Sequence, residues 1–194
     1  MHRPLPITRR ALVAGSAACL LAGRAAPARA QAVLGEDGLY HMKWYLESFL
    51  DLAEDVAAAT AQGKRFAVLW GLRGCPLCKR LHLEHLAQAP IAAYIQANFD
   101  VLHLNILGAR EVTDFDGAKL PEKAFAERYG IRGTPSLQFF PEAADGLAQK
   151  APAAREVARI TGLPAPGEFL AKFRYVRDKA YERSTFEDYR KQAG

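Results

Sequence analysis

The chain has 194 residues, enough to bury one hydrophobic core of ordinary size. Its formal charge of +5 comes from the first 30 residues, which carry five arginines and no acidic residue. Residues 31–194 therefore hold 21 basic and 21 acidic side chains. That balance argues against the basic surface on which nucleic-acid binding depends, so no nucleic-acid partner is expected.

The first 30 residues have the pattern of an export signal. Arg9 and Arg10 precede an apolar stretch diluted by Gly and Ser, and residues 28–30 (Ala-Arg-Ala) form a small-x-small cleavage site. Paired arginines of this kind favour the twin-arginine route. About 13 apolar residues are fewer than the roughly 20 that span a bilayer, so a membrane anchor is the weaker interpretation. We expect a soluble periplasmic protein that begins near Gln31.

Apolar periodicity predicts alternating helices and strands after a disordered leader of residues 31–39. The predicted helices span residues 40–62, 75–88, 90–98 and 121–129, followed by a C-terminal helix with Phe169, Phe173 and Val176 on one face. The predicted strands span residues 65–70, 99–106, 136–140 and 156–160, and a last segment, 186–191, either docks or frays. The first two strands should be parallel and the last two should form an antiparallel hairpin.

Two cysteines separated by two residues, Cys75 and Cys78, lie where the first predicted strand gives way to a helix. Free N–H groups and the helix dipole stabilise a thiolate at such a helix start, which makes Cys75 the nucleophile and Cys78 the resolving thiol. Pro76 suits the first helical turn, where no N–H donor is needed. Arg73, Lys79 and Arg80 either add positive charge at this site or are ordinary solvated surface charges.

The cysteine pair has two other interpretations. A purely structural disulfide would close a very short loop and would constrain the unfolded chain little. A soft metal ion such as Cu(I) could bind both thiolates, but two ligands are too few for a closed zinc site. Met42 is a conceivable third copper ligand, although a lone Met on an apolar helix face is usually part of the core. We therefore expect no metal site.

Thr134 and Pro135 precede the third predicted strand and form a candidate cis peptide bond. A cis proline there would expose the backbone of Thr134 beside the two sulfurs, so that an extended substrate could pair with it. The loop of residues 107–119 contains Glu111, Asp114 and Asp116. It lacks the remaining ligands of a calcium loop, and an Asx-type turn is the preferred interpretation.

The residues that follow Cys78 and the segment of residues 111–117 resemble those of a known family. Lys79 and Arg80 follow the second cysteine, His82 lies four positions beyond it, and residues 111–117 read Glu-Val-Thr-Asp-Phe-Asp-Gly. With the Cys-Pro-x-Cys and Thr-Pro motifs, residues 50–182 resemble the thioredoxin superfamily and, within it, periplasmic proteins of the SoxW type.

That resemblance implies an α/β, thioredoxin-like fold, with a central mixed sheet flanked by helices and an N-terminal helix extension, in one domain of residues 31–194. It further implies a thiol:disulfide oxidoreductase without a cofactor. Such a protein would reduce a disulfide in an exported partner protein and take electrons from a membrane thiol transporter.

One position departs from the thioredoxin pattern. Thioredoxins commonly carry a buried Asp six positions before the first cysteine, where this chain has Leu69. His82 lies one helical turn beyond Cys78, so its imidazole could reach the sulfur and accept its proton near neutral pH. The alternative is a half-buried helix histidine without a catalytic part. Glu84 and His85 are expected at the surface.

Overall fold

The computed structural model describes residue 2 and residues 31–193, so nearly all of the predicted export signal lies outside the described residues. Eight strands and six α-helices are assigned in the described part. The strands are β1 Ala32–Leu34, β2 Tyr40–Met42, β3 Arg65–Gly71, β4 Phe99–Asn105, β5 Glu111–Thr113, β6 Lys119–Pro121, β7 Ser136–Phe139 and β8 Ala158–Thr161. The α-helices are α1 Leu52–Ala61, α2 Pro76–Arg80, α3 Ala89–Asn98, α4 Glu122–Arg128, α5 Pro166–Arg177 and α6 Phe186–Ala193.

The central sheet has the strand order β4-β3-β7-β8 and is mixed, as predicted. β3 pairs parallel with β4, whereas β7 pairs antiparallel with both β3 and β8. All seven residues of β3 are buried, because helices cover both faces of this central strand. The register places Leu69 directly opposite His103, so both side chains leave the same face of the sheet.

Each face of the sheet has its own hydrophobic core. Aromatic side chains of β4, β7 and α5 dominate one core, and those of β3 and α4 dominate the other. The first includes Phe99, Phe139, Phe169 and Phe173, and the second includes Phe66, Trp70, Phe125 and Phe140. Of the helices that the structure describes, none combines the length and the apolar character needed to cross a bilayer.

The predictions for residues 31–62 are partly wrong. β1 and β2 form an antiparallel hairpin where a disordered leader and the start of a helix were expected. Helix α1 begins only at Leu52, because Leu50 has a left-handed backbone and Asp51 caps the N–H groups of residues 53 and 54. Met42, spaced as on a helix with the residues of α1, packs on the core from the hairpin instead.

The predicted loop of residues 107–119 contains strand β5, which pairs with β6. The carboxylates of Asp114 and Asp116 contact the guanidinium groups of Arg128 and Arg155. One oxygen of Asp116 also accepts the N–H of Ala118, which gives the Asx-type turn. Arginines therefore pair with two of the carboxylates, Asp114 and Asp116, that a calcium site would need.

The predicted redox helix of residues 75–88 is also shorter than expected. Helix α2 spans five residues and continues into a π-helical turn, Leu81–His85. Such turns change the direction in which side chains point relative to a regular helix. The C-terminal segment docks: Phe186 is buried, and the Lys172 ammonium lies 3.4 Å from its ring centroid.

Candidate active site

Cys75 lies at the N-cap of α2, where its Sγ accepts the backbone N–H of Cys78 at 3.1 Å. Strand β3 ends at Gly71, and the turn before the helix places Gly74 at φ +75°, a backbone conformation that glycine adopts without strain. Pro76 occupies the first helical position, as predicted. Both thiols are free; Cys75 is partly exposed and Cys78 is buried.

The two thiols differ in acidity. Burial acts to raise the pKa of Cys75, but hydrogen bonds from the Cys78 thiol, from Thr134 and from backbone N–H groups outweigh it, so this pKa is lowered. For Cys78, burial is the largest effect, and the hydrogen bond to Cys75 adds to it, which raises the pKa of Cys78 to about 12. Cys75 therefore ionises first, and Cys78 holds its proton.

Thr134 and Pro135 lie beside the nucleophile. Their peptide bond is cis, as predicted, and the Cys75 thiol is 3.4 Å from the carbonyl oxygen of Thr134. Strand β7 begins at the next residue, Ser136, which pairs with Trp70 near the end of β3. The same strand pairing thus brings the Thr-Pro turn to the start of the redox helix.

His82 is buried, and both of its ring nitrogens have partners. Nδ1 lies 2.7 Å from the carbonyl oxygen of Cys78, and Nε2 lies 2.7 Å from the Tyr45 hydroxyl. A carbonyl oxygen only accepts, so Nδ1 carries the proton and Nε2 accepts the Tyr45 O–H. Burial lowers the pKa of His82 to about 4, so its imidazole is neutral at neutral pH. The ring bonds the backbone of Cys78 rather than its sulfur.

Arg73 and Arg80, two of the predicted basic residues, make their contacts with groups other than Cys75. Arg73 turns away and donates to the carbonyl oxygens of Asp37 and Glu36 in the hairpin turn. Arg80 pairs with Glu84 on the exposed face of the helix at 3.2 Å. The surface interpretation therefore fits Arg80, and hydrogen bonds are what lower the pKa of Cys75.

Apart from His82, sequence reasoning missed the aromatic and imidazole side chains that surround this site. Rings of His41, Tyr45, His82 and His103, here called the histidine cluster, lie with neighbouring centroids 5.2–5.8 Å apart. His103 is a single histidine between the apolar residues Leu102 and Leu104 of strand β4, and that exception is the available signal. The sequence contains no comparable signal for Tyr45, because residue 45 lies in a predicted helix that does not form there. His85, expected at the surface, is buried and bonds the Pro164 carbonyl oxygen at 2.8 Å.

The alternative of a metal site gains no further ligands from the structure. Met42 is buried in the core. Within the described part of the chain, His, Cys, Asp and Glu side chains form no group of three that could hold a metal ion.

Comparisons with known proteins agree with this description. A family model for thioredoxin-like domains matches residues 52–177. A thioredoxin-fold protein from Helicobacter pylori is 18% identical with a TM-score of 0.53, covering 72% of this chain and 92% of its own. A thioredoxin from Thermus thermophilus is 27% identical with a TM-score of 0.47, covering 65% and 83%. No curated protein matches the sequence.

The family match spans more than half of the chain, so the chain belongs to the thioredoxin-like family. Its site has an accessible, acidified thiol next to a buried, protonated one at the start of a helix. With that dithiol, the chain is a thiol:disulfide oxidoreductase.

Proposed function

We propose that the chain is an exported reductase of disulfides in partner proteins, of the SoxW type. The observation that carries the proposal is the contrast between the two thiols: Cys75 is partly exposed and acidified, whereas Cys78 is buried behind it. A reductase needs this asymmetry, because the attacking sulfur must be a thiolate and must reach the partner.

The reaction divides into attack and resolution. The Cys75 thiolate attacks one sulfur of the partner disulfide, forms a mixed disulfide and expels the other sulfur as a thiolate. Cys78 then loses its proton and attacks Cys75, which forms the intramolecular disulfide and releases the second partner sulfur. The released thiolates take up protons, and the two electrons have passed to the partner. A membrane thiol transporter would return two electrons to Cys75 and Cys78.

We assign Thr134 and Pro135 to substrate binding, because the Thr134 carbonyl oxygen is 3.4 Å from the reacting sulfur. An extended partner segment could pair with this backbone by strand addition. We assign His82 to the resolving half of the cycle. It bonds the Cys78 carbonyl oxygen, and its other nitrogen bonds Tyr45, so it would have to release Tyr45 before taking a proton from the sulfur itself.

Cysteine variants test the two roles. Cys75→Ser should abolish exchange with a model disulfide, and Cys78→Ser should accumulate a mixed disulfide that mass spectrometry detects. Faster alkylation of Cys78 than of Cys75 in the wild-type protein would overturn the assignment. The reduction potential of the pair tests the direction: a value near that of thioredoxin supports a reductase, and one near that of the oxidant DsbA contradicts it.

Export needs its own test. Replacing Arg9 and Arg10 with lysine should leave the precursor in the cytoplasm if the twin-arginine route is used. Normal export of that variant would indicate the general secretory route, and cytoplasmic residence of the wild-type protein would contradict export altogether.

A further inference from the structure

The buried side chain of His103 is energetically unfavourable where it lies. Its side chain is buried in strand β4, and neither ring nitrogen has a hydrogen-bond partner among the described residues. Leaving a buried polar group unsatisfied destabilises the folded state, so such groups in a native protein call for an explanation. The proposed mechanism so far gives His103 no part.

His103 lines two clefts. The first cleft, of about 420 Å³, is also lined by Gly71, Cys75, Cys78 and His82. The second cleft, of about 380 Å³, is also lined by His41, Tyr45, Glu47 and Arg110. Both are large enough to admit water molecules. A single imidazole therefore borders the space beside the resolving thiol and a separate, more polar space.

One ring nitrogen packs against Gly71, the last residue of β3, which also lines the first cleft. A Cβ added at Gly71 would stand only 2.5 Å from Nε2 of His103. The absence of a side chain at Gly71 thus makes room for the imidazole beside the loop that carries Cys75.

The titratable and charged groups around His103 are few. The rings of His41 and Tyr45 have centroids 5.2 Å away, and that of His82 is 5.7 Å away. Arg110 donates to the backbone carbonyl oxygen of His103 at 2.9 Å. Burial, together with these histidines and Arg110, holds the pKa of His103 well below its usual range, so the ring is neutral. A neutral imidazole can accept a proton on one nitrogen while it releases one from the other.

The resolving attack by Cys78 requires a group that can accept its proton. Cys75 and Pro76 line the first cleft, so a partner bound to Cys75 stands beside it and restricts the access of bulk water. At this moment Cys78 must give up its proton. His103 lines the second cleft as well as the first.

We propose that His103 carries the proton of Cys78 from the first cleft to the second during resolution, a role that rests on the reductase function proposed above. The Cys78 S–H bond breaks, the new S–S bond to Cys75 forms, and the bond between Cys75 and the partner sulfur breaks. The electron pair of that bond leaves with the partner sulfur. The proton reaches one ring nitrogen through water in the first cleft, while the other nitrogen releases a proton toward the second.

The test uses a short peptide whose single cysteine is activated with thionitrobenzoate. Attack by Cys75 releases the coloured thionitrobenzoate, and acid-quenched mass spectrometry then follows the decay of the peptide mixed disulfide. In His103→Gln the release should be unchanged, whereas the decay should slow at least about tenfold near pH 7. The difference should close toward about pH 10, where hydroxide removes the Cys78 proton directly. The matched control is His85→Gln, which changes a buried histidine that lines neither cleft.

A second variant keeps His103 and obstructs its nitrogen. Gly71→Ala places a Cβ against Nε2 and should slow decay with the same pH dependence, and it decides the matter if His103→Gln does not fold. Wild-type decay in the folded variants, or an equal slowing at every pH, would overturn the proposed role. If Cys75 of the wild-type protein failed to release thionitrobenzoate, the reductase function would fail instead.

Discussion

Two buried polar clusters lie on different elements of this molecule, and they differ in whether each polar side chain has an ion-pair or hydrogen-bond partner. In the first, here called the aspartate–arginine cluster, every side chain has an opposite charge or a hydroxyl as its partner. It comprises Asp114, Asp116, Arg128, Tyr129 and Arg155. In the histidine cluster beside the cysteines, His103 has no hydrogen-bonded partner among the described residues. Satisfied networks rigidify a fold, whereas an unsatisfied neutral imidazole remains free to bind a proton.

The aspartate–arginine cluster has a structural task. Arg155 and Asp114 are both almost completely buried, and they pair at 2.7 Å. Arg155 follows β7 in sequence, and Asp114 lies in the turn between β5 and β6, so the pair ties two irregular segments together. The pKa of Asp116, one of its members, falls to about 2, because Arg155 and Arg128 outweigh the opposing effect of burial.

The largest effect should come from breaking this cluster. Arg155→Met leaves the buried Asp114 carboxylate with Arg128 as its remaining cationic partner, and we expect a loss of about 3 kcal/mol in the free energy of unfolding. Urea unfolding measures it. Arg128→Met is the matched control with a smaller expected loss, because Arg128 is about a quarter exposed. The rate of resolution per folded molecule should not change; a slower rate in Arg155→Met would show that the two clusters are coupled.

The sequence predicted the central sheet well but the histidine cluster poorly, for a physical reason. The strand from Arg65 is a continuous apolar run over residues 66–70, and the strand from Phe99 is apolar at four of its seven positions, and such patterns indicate burial directly. The hairpin of residues 32–42 is short, and helical spacing of Met42 with later apolar residues concealed it. A cluster formed by the hairpin, by the turn after α2 and by β4 depends on contacts between distant segments. Local patterns contain no information about such contacts.

The same limit applies to His82. Its spacing from Cys78 correctly placed the imidazole next to that residue, since positions four apart on a helix are neighbours. Spacing alone gave no sign that the ring would bond the Cys78 carbonyl oxygen and Tyr45, because both contacts depend on χ angles and on the π turn. The prediction that His82 takes part in resolution therefore stays a prediction, with its hydrogen bonds now defined.

An intermediate effect should appear in acid. Burial lowers the pKa of His82 to about 4, whereas an unfolded histidine titrates near 6.5. Between these two pKa values the unfolded chain binds a proton at His82, whereas the folded protein does not. The free energy of unfolding therefore falls as the pH falls. By about pH 5 the loss should approach 2 kcal/mol relative to neutral pH. Urea unfolding at both pH values, in the wild-type protein and in His82→Gln, measures the difference.

The comparison with His82→Gln matters because other groups also titrate in this range. Burial raises the pKa of Asp55 to about 6, so its protonation stabilises the folded protein in acid and opposes the effect of His82. Asp55 is present in both proteins, and its contribution cancels in the difference. An equal acid loss in wild type and His82→Gln would show that His82 does not titrate as the geometry implies.

The smallest effect has the opposite sign. Replacing His103 with leucine removes an imidazole whose nitrogens have no partner in the described residues, and it places an apolar side chain beside Tyr45 and His82. Because the desolvation cost disappears, we expect the free energy of unfolding to rise by about 1 kcal/mol while resolution slows. His85→Leu is the control: it removes the hydrogen bond to the Pro164 carbonyl oxygen and should lower the free energy of unfolding. A loss of stability in His103→Leu would mean that the imidazole is satisfied in solution, and the contrast between the two clusters would then fail.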